Sequence, residues 1–350
     1  MVRRVAFAVP GDLATPTGGY AYDRRIIAEL KDLDWQVDAV ELGDGFPRPN
    51  AEQKAVAEAR LSDVGKDVPI VIDGLAFGAL PEAAEKLKAR ALIALVHHPL
   101  AFETGLVPAD AEVLLESERA ALAATRHVIV TSPSIARLLA DTYDVDPEHI
   151  TVAPPGTDRA AAPAPGSSDG IVRLVSVGAI LPRKGFDVLI GALATLTDLP
   201  WRLAIAGDRR RDEAEAARLD AEIARHDLGD RVEVLGVLPA ERVTALYHGS
   251  DLFVLASRFE GYGMAYAEAM AHGLPVIGTT AGAIPDTVPP EAGVLVEPNE
   301  VKPLARALRM LIANTEERHW FAAGAREVAQ RLPTWEDSAK LIAQAIEAVA

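Results

Sequence analysis

The chain has 350 residues, with 51 Asp and Glu against 35 Lys and Arg, a formal charge of −16. That excess argues against nucleic acid as the main partner, because phosphate backbones are met by basic faces. The absence of cysteine excludes disulfides and thiolate metal sites and fits a reducing compartment.

With 49% apolar residues, the length suggests two domains, each able to bury its own core. The apolar run after Arg3-Arg4 stops at Pro10-Gly-Asp, too short for a signal peptide, and reads as a first buried strand. No apolar run approaches the ~18 residues of a membrane helix. The expected location is cytoplasmic, with membrane contact at most peripheral, at the inner face.

Short β-branched runs alternate with longer amphipathic stretches, the pattern of βαβ units around parallel sheets. Strands are predicted at 4–9, 36–41, 69–72, 91–96, 127–131 and 150–153, then at 171–177, 202–206, 231–235, 252–256, 275–278 and 293–296. Helical spacing links them, as in Ile26, Ile27, Leu30 and Leu33 or Phe186, Leu189, Ile190 and Leu193. This gives an N-terminal doubly wound domain over 1–158, a Pro/Ala/Gly/Ser linker over 159–170 and a second doubly wound domain over 171–333. A final segment over 334–350, opening at Thr334-Trp-Glu-Asp, reads as a helix packed on either domain. Such sheets bind ligands beyond the carboxyl ends of their strands, so two of them facing each other would form a cleft.

The richest segment is Arg258-Phe-Glu-Gly-Tyr-Gly-Met-Ala-Tyr-Ala-Glu268. A strand runs into a turn at 258–263, and a helix follows until Gly273. Gly261 and Gly263 let the backbone bend and approach a ligand closely. The amides of Met264 and Ala265 then sit at a helix N-terminus, an arrangement suited to phosphate. Glu268, one turn on, is placed to accept two hydroxyl hydrogen bonds, as from a ribose, and Glu260 to touch whatever lies beyond the phosphates. The bland alternative is a capping Glu260 and a solvated Glu268.

Arg183 and Lys184 follow a predicted strand and stand at the same sheet edge, as two diphosphate partners or two solvated loop charges. Gly207 ends the next strand, where glycine admits a ligand. In the first domain, the Gly18-Gly19 amides could face a phosphate or sugar, or simply form a turn. Val96-His97-His98 ends another strand, and no third metal ligand at convincing spacing accompanies the two histidines. Asp32-Leu-Asp34 and Asp144-Val-Asp146 match a D-x-D pattern but follow helices and read as solvated loop acids. The basic groups Arg209-Arg-Arg211 and Lys86, Lys88 and Arg90 read as solvated, or as a membrane-surface contact.

Taken together, Glu260 to Glu268, Pro182-Arg-Lys-Gly185, Ala206-Gly-Asp208, Glu268-Ala-Met-Ala-His-Gly-Leu-Pro-Val-Ile277, Ala281-Gly-Ala-Ile-Pro-Asp286, Ser132-Pro-Ser134 and Pro154-Pro-Gly-Thr-Asp158 carry a resemblance. They are similar to the E-x7-E pattern of retaining glycosyltransferases of the GT-B fold, family 4, strongly over 130–300 and more loosely before.

The resemblance implies two Rossmann-like domains facing across a cleft, an acceptor-binding one first and a donor-binding one second, with the last helix crossing back to the first. It implies a nucleotide-sugar donor, UDP- or GDP-linked, as substrate, with no cofactor and no metal. The acceptor would be a sugar, a small molecule or a lipid-linked group. Glu268 would hold ribose and Glu260 the transferred sugar. Lys184, Arg183 and the backbone of Gly261, Tyr262, Gly263, Met264 and Ala265 would hold the diphosphate, with Gly207 beside it and Val237 near the base. Gly18 and Gly19 would line the donor from the first domain, and His97, or His98 by a one-residue shift, would meet the reacting sugar. Family members often carry arginine directly after the glycine at Gly178; here Ala179 stands, and Arg183 is expected to substitute.

A nicotinamide dehydrogenase would require G-x-G-x-x-G after a strand, which is absent. A GT-B epimerase, converting donor without acceptor, and a non-catalytic sugar-nucleotide-binding protein remain as alternatives.

Overall fold

The computed structural model describes all residues except Met1, Val2, Pro16, 161–163 and 165–168. It contains two compact units, residues 1–156 with 333–350 and residues 157–332. Much of the expected 159–170 linker lies outside the described residues. Within it, the amide of Ala164 donates to His272 O at 2.9 Å, so that point is docked on the second unit.

The first unit holds strands β1 (Arg4–Val9), β2 (Gln36–Glu41), β3 (Ile70–Asp73), β4 (Leu92–Val96), β5 (His127–Val130) and β6 (Ile150–Val152). The second holds β7 (Val172–Val177), β8 (Trp201–Ala206), β9 (Val232–Gly236), β10 (Leu252–Val254), β11 (Val276–Thr279) and β12 (Gly293–Val296). All pairings are parallel, in the orders β2-β1-β3-β4-β5-β6 and β12-β11-β10-β7-β8-β9.

Parallel sheets covered by helices on both faces need continuous apolar runs in their central strands. β3, β4 and β10 are buried along their whole length, whereas the outer strands β2 and β6 are only partly buried. Strand order reverses between β1 and β3 in the first sheet and between β7 and β10 in the second. Such reversals open a crevice at the strands' carboxyl ends, because the connecting helices depart to opposite faces. Each unit therefore offers one preformed location for a ligand.

The terminal helix Trp335–Val349 begins with a capping box between Thr334 and Asp337 and belongs to the first unit. Trp335 packs 5.9 Å from the Tyr22 ring, with the Arg25 guanidinium over the Trp335 ring, 4.9 Å from its centroid. Gly156 has no room for a Cβ there, because the Trp335 backbone occupies that space. Among the described residues, no helix is long and apolar enough to cross a membrane.

The basic groups considered for a membrane surface are largely paired. Lys86 reaches Glu58 at 2.6 Å, Lys88 meets Glu85, Arg90 donates to the carbonyls of Leu61, Gly65 and Val68, and Arg209 meets Asp220. Asp144, in the left-handed region at φ 59°, ends a helix, and Asp146 caps the next turn. Asp32 is the last residue of the helix Gly18–Asp32, and Asp34 follows it in the left-handed region at φ 63°.

Candidate active site

The loops after β7 and β10 meet at the reversal point of the second sheet. After β7 the chain passes Gly178 and forms the 3-10 turn Pro182–Lys184. Gly178 lies close to the lysine, since a Cβ there would stand 3.2 Å from Lys184 Cε. After β10, Ser257 and Glu260 precede the Gly261-Tyr-Gly263 turn. Arg258 ties the two loops together: its amide donates to Arg183 O at 2.6 Å and its guanidinium to Asp187 at 2.7 Å.

Glu260 is 6% exposed, and both its oxygens are occupied. Lys184 Nζ and Ser257 Oγ each donate to Oε1 at 2.6 Å, and Arg183 donates to Oε2 at 3.2 Å. Burial would raise this carboxyl, but the charges of Lys184 and Arg183 outweigh it and bring the pKa to about 2. The sequence reading places Glu260 towards a sugar; in the fold its carboxylate also holds Lys184 and Arg183 in place.

Directly beyond, Gly263 adopts φ +95° and starts the helix Met264–Ala271, which has no side-chain cap. The amides of Tyr266 and Ala267 turn back to Gly263 O, while those of Met264 and Ala265 meet no acceptor among the described residues. Unmet helix-start amides beside the two cations Lys184 and Arg183 suit an anion. Tyr262 is buried, and its carbonyl accepts from Thr287 Oγ1 at 2.6 Å.

Glu268 is half-buried rather than fully enclosed. Tyr247 Oη donates to its Oε2 at 3.1 Å, and Tyr247 is stacked on His272 at 5.1 Å. Burial raises the Glu268 pKa to about 7, with the Tyr247 hydrogen bond opposing and Asp158 adding repulsion.

Gly207 is a glycine because the Gly178 carbonyl fills the space a Cβ would take, so no ligand is required to account for it. Val237 lies just after β9, 49% exposed.

In the first unit, Thr17 caps the helix Gly18–Asp32. Gly18 is exposed in its first turn, and Gly19 lies against the His97 ring. His97 Nε2 is 3.0 Å from Asp23 Oδ1 and 3.5 Å from Asp73 Oδ2, while His98 Nε2 faces Glu103 at 3.9 Å. His97, but not His98, lies in a cluster that spacing along the chain did not show: Asp23, Asp73 and His97 bring their polar atoms within 4.8 Å of one another.

Spacing along the chain hid that cluster, because its members come from a helix and two different strand ends. Asp23 nonetheless carried a signal, since it falls three, four and seven positions before Ile26, Ile27 and Leu30 on the buried stripe of its helix. Asp73 likewise ends the wholly apolar run Ile70-Val-Ile. Tyr247 and Ser257 were also missed, and both are buried polar groups beside a predicted site residue.

Residues 161–328 match the family model of glycosyl transferases group 1, and residues 67–161 that of glycosyltransferase family 4. The D-inositol 3-phosphate glycosyltransferase of Nocardioides sp. is 30% identical over 69% of this chain and 57% of its own length. The mannosylfructose-phosphate synthase of Agrobacterium fabrum is 30% identical over 45% of this chain and 38% of its own. The chain spans about half the length of the curated relatives it matches.

Among solved structures, sucrose-phosphate synthase from Thermosynechococcus elongatus is similar with a TM-score of 0.82 at 22% identity, covering 97% of this chain and 98% of that one. HepE from Anabaena, solved with UDP and glucose, gives 0.77 at 19%, covering 98% and 99%. At these identities the likenesses establish the fold, which is GT-B. The two family matches show that the chain belongs to glycosyltransferase family 4.

Proposed function

We propose that the chain is a retaining, metal-independent glycosyltransferase that moves a sugar from a nucleoside-diphosphate sugar to an acceptor hydroxyl. The observation that carries this is the Lys184–Glu260–Arg183 assembly beside the unmet amides of Met264 and Ala265. Breaking the bond between sugar and diphosphate leaves negative charge on the departing phosphate. Fixed amides and cations already in place stabilise that charge without reorganising.

In this reading the second unit binds the donor. The diphosphate lies on the amides with Lys184 and Arg183, and Glu268 accepts hydroxyl hydrogen bonds from the ribose through the oxygen that Tyr247 leaves open. Arg183 takes the place of the arginine that Ala179 lacks. Glu260 orients the cations, and its reach to the transferred sugar follows once phosphate draws Lys184 or Arg183 away. The acceptor belongs to the first unit, with His97 acting on the reacting sugar. Retention would follow from front-face attack, in which the departing phosphate assists deprotonation of the acceptor, so no protein nucleophile is needed.

The UDP-glucose bound in the HepE structure supports testing uridine donors first. The phosphorylated compounds named for the inositol phosphate and mannosylfructose-phosphate relatives support phosphorylated polyols and sugars as first acceptors.

The experiment is a thermal-shift panel of UDP- and GDP-sugars, followed by detection of released nucleoside diphosphate with and without acceptor. A ligand at 100 times its Kd adds about 2.7 kcal/mol of stability, a readily measured shift. A panel with no shift and no release contradicts the reading, as does conversion of the donor to its epimer without acceptor.

A further inference from the structure

Asp23 is fully buried, and its Oδ2 meets no hydrogen-bond donor among the described residues. Asp73, also buried, accepts at Oδ1 from the Leu75 amide at 2.7 Å and turns Oδ2 towards His97. A buried carboxylate with an unmet oxygen is destabilising unless its charge is used. An apolar residue at position 23 would simply extend the Ile26, Ile27 and Leu30 stripe, so helix packing gives no reason for the acid. The ring it faces is tightly bounded: Tyr22 meets it edge-on at 5.0 Å, and a Cβ on Gly19 would stand 3.4 Å from its Cδ2.

We infer that Asp23 and Asp73 are positioning residues that hold His97 as a fixed imidazolium, with its Nε2–H bound inward and only Nδ1–H left for substrate. His97 then serves as a donor and a positive charge towards a sugar or phosphate oxygen, and it does not accept the acceptor's proton. What Nδ1 meets rests on the proposed transferase reading; the state and orientation of the ring do not.

The electrostatics run the same way. Burial alone would lower the His97 pKa, but the Asp23 charge and the hydrogen bonds to both carboxylates bring it to about 10. Asp23 is itself raised by burial, with the His97 charge opposing and Asp73 adding repulsion. Tyr22 is held neutral by burial and by the Asp23 charge. On the neighbouring residue, His98 is turned to Glu103. Arg25 lies over the Trp335 ring, 4.9 Å from its centroid.

The test is nitrogen-15 histidine NMR of the full chain without any substrate, with the His97 signals assigned through His97→Gln. The wild type should show the imidazolium pattern at pH 8. Asp23→Asn should move the His97 midpoint down by more than one pH unit, towards the ordinary value near 6.5. Asp23→Glu should restore at least part of the shift. Asp73→Asn should give a smaller fall, and it serves as the reporter if Asp23→Asn does not fold by circular dichroism. A neutral His97 in the wild type at pH 8, or a midpoint unmoved in the folded variants, overturns the inference. So does stoichiometric Zn²⁺ binding that is lost in Asp23→Asn, which would make the cluster a cation site. Failure of the donor panel with these NMR results intact would count against the transferase reading alone.

Discussion

Replacing Lys184 by methionine keeps most of the side chain's volume and removes the charge that Glu260 was buried against. Glu260 has an ordinary value of 4.5 and is lowered to about 2 in the fold. The difference of about 2.5 units corresponds to about 3 kcal/mol, at roughly 1.4 kcal/mol per unit. Because the folded value is depressed, this stabilisation is fully present above pH 4.5 and is lost as pH falls through about 2. Arg183, at 3.2 Å and with 21% of its side chain exposed, replaces only part of the Lys184 contact at 2.6 Å. Lys184→Met should therefore destabilise the second unit by about 3 kcal/mol at pH 7, the range expected for breaking a buried pair. The gap should narrow to about 1.5 kcal/mol at pH 3, where wild-type Glu260 has already lost half its advantage. Urea unfolding followed by hydrogen exchange in peptides from β7 to β12 measures both values within that unit. A gap below about 1 kcal/mol at pH 7, or one indifferent to pH, would refute the ion-triad account.

Glu268→Gln should weaken UDP or GDP binding by roughly tenfold at pH 8, since a carboxylate acceptor is lost. Wild-type affinity should fall as pH drops through about 7, where Glu268 takes up its proton, and calorimetry on the variant should show that dependence gone. Gly207→Ala drives a methyl into the Gly178 carbonyl and should destabilise the second unit by roughly 1–3 kcal/mol; an unchanged melting temperature would contradict this. Glycosyl transfer should survive EDTA, and activity lost to chelation and restored by Mn²⁺ would contradict the metal-independent mechanism.

The alternation of apolar runs and amphipathic stretches made the strands legible, because a buried parallel strand cannot tolerate polar residues over its length. The apolar runs 70–72 and 92–96 are clear cases. The turn at 258–263 was equally readable, since Gly263 sits at a φ that other residues rarely adopt. What the sequence could not disclose is where long side chains go once folded. Lys184 and Glu260 are 76 positions apart and seemed to serve different parts of a ligand, yet each is the other's nearest countercharge. Asp23 and His97, 74 apart, come together only because β1 and β4 flank β3 in the sheet. Glycines were ambiguous for a related reason: Gly207 reads as room for a ligand until the Gly178 carbonyl is found in that space.

The central claim is that a nucleoside diphosphate binds at the carboxyl edge of the second sheet, on the amides of Met264 and Ala265 beside Lys184 and Arg183. Hydrogen exchange of the full chain with saturating UDP, and separately GDP, tests it most directly. The account predicts protection by at least one of them in peptides spanning residues 182–185 and 261–268, with Glu268→Gln needing roughly tenfold more nucleotide for half of that protection at pH 8. No protection with either nucleotide, or protection confined to other segments, would contradict it.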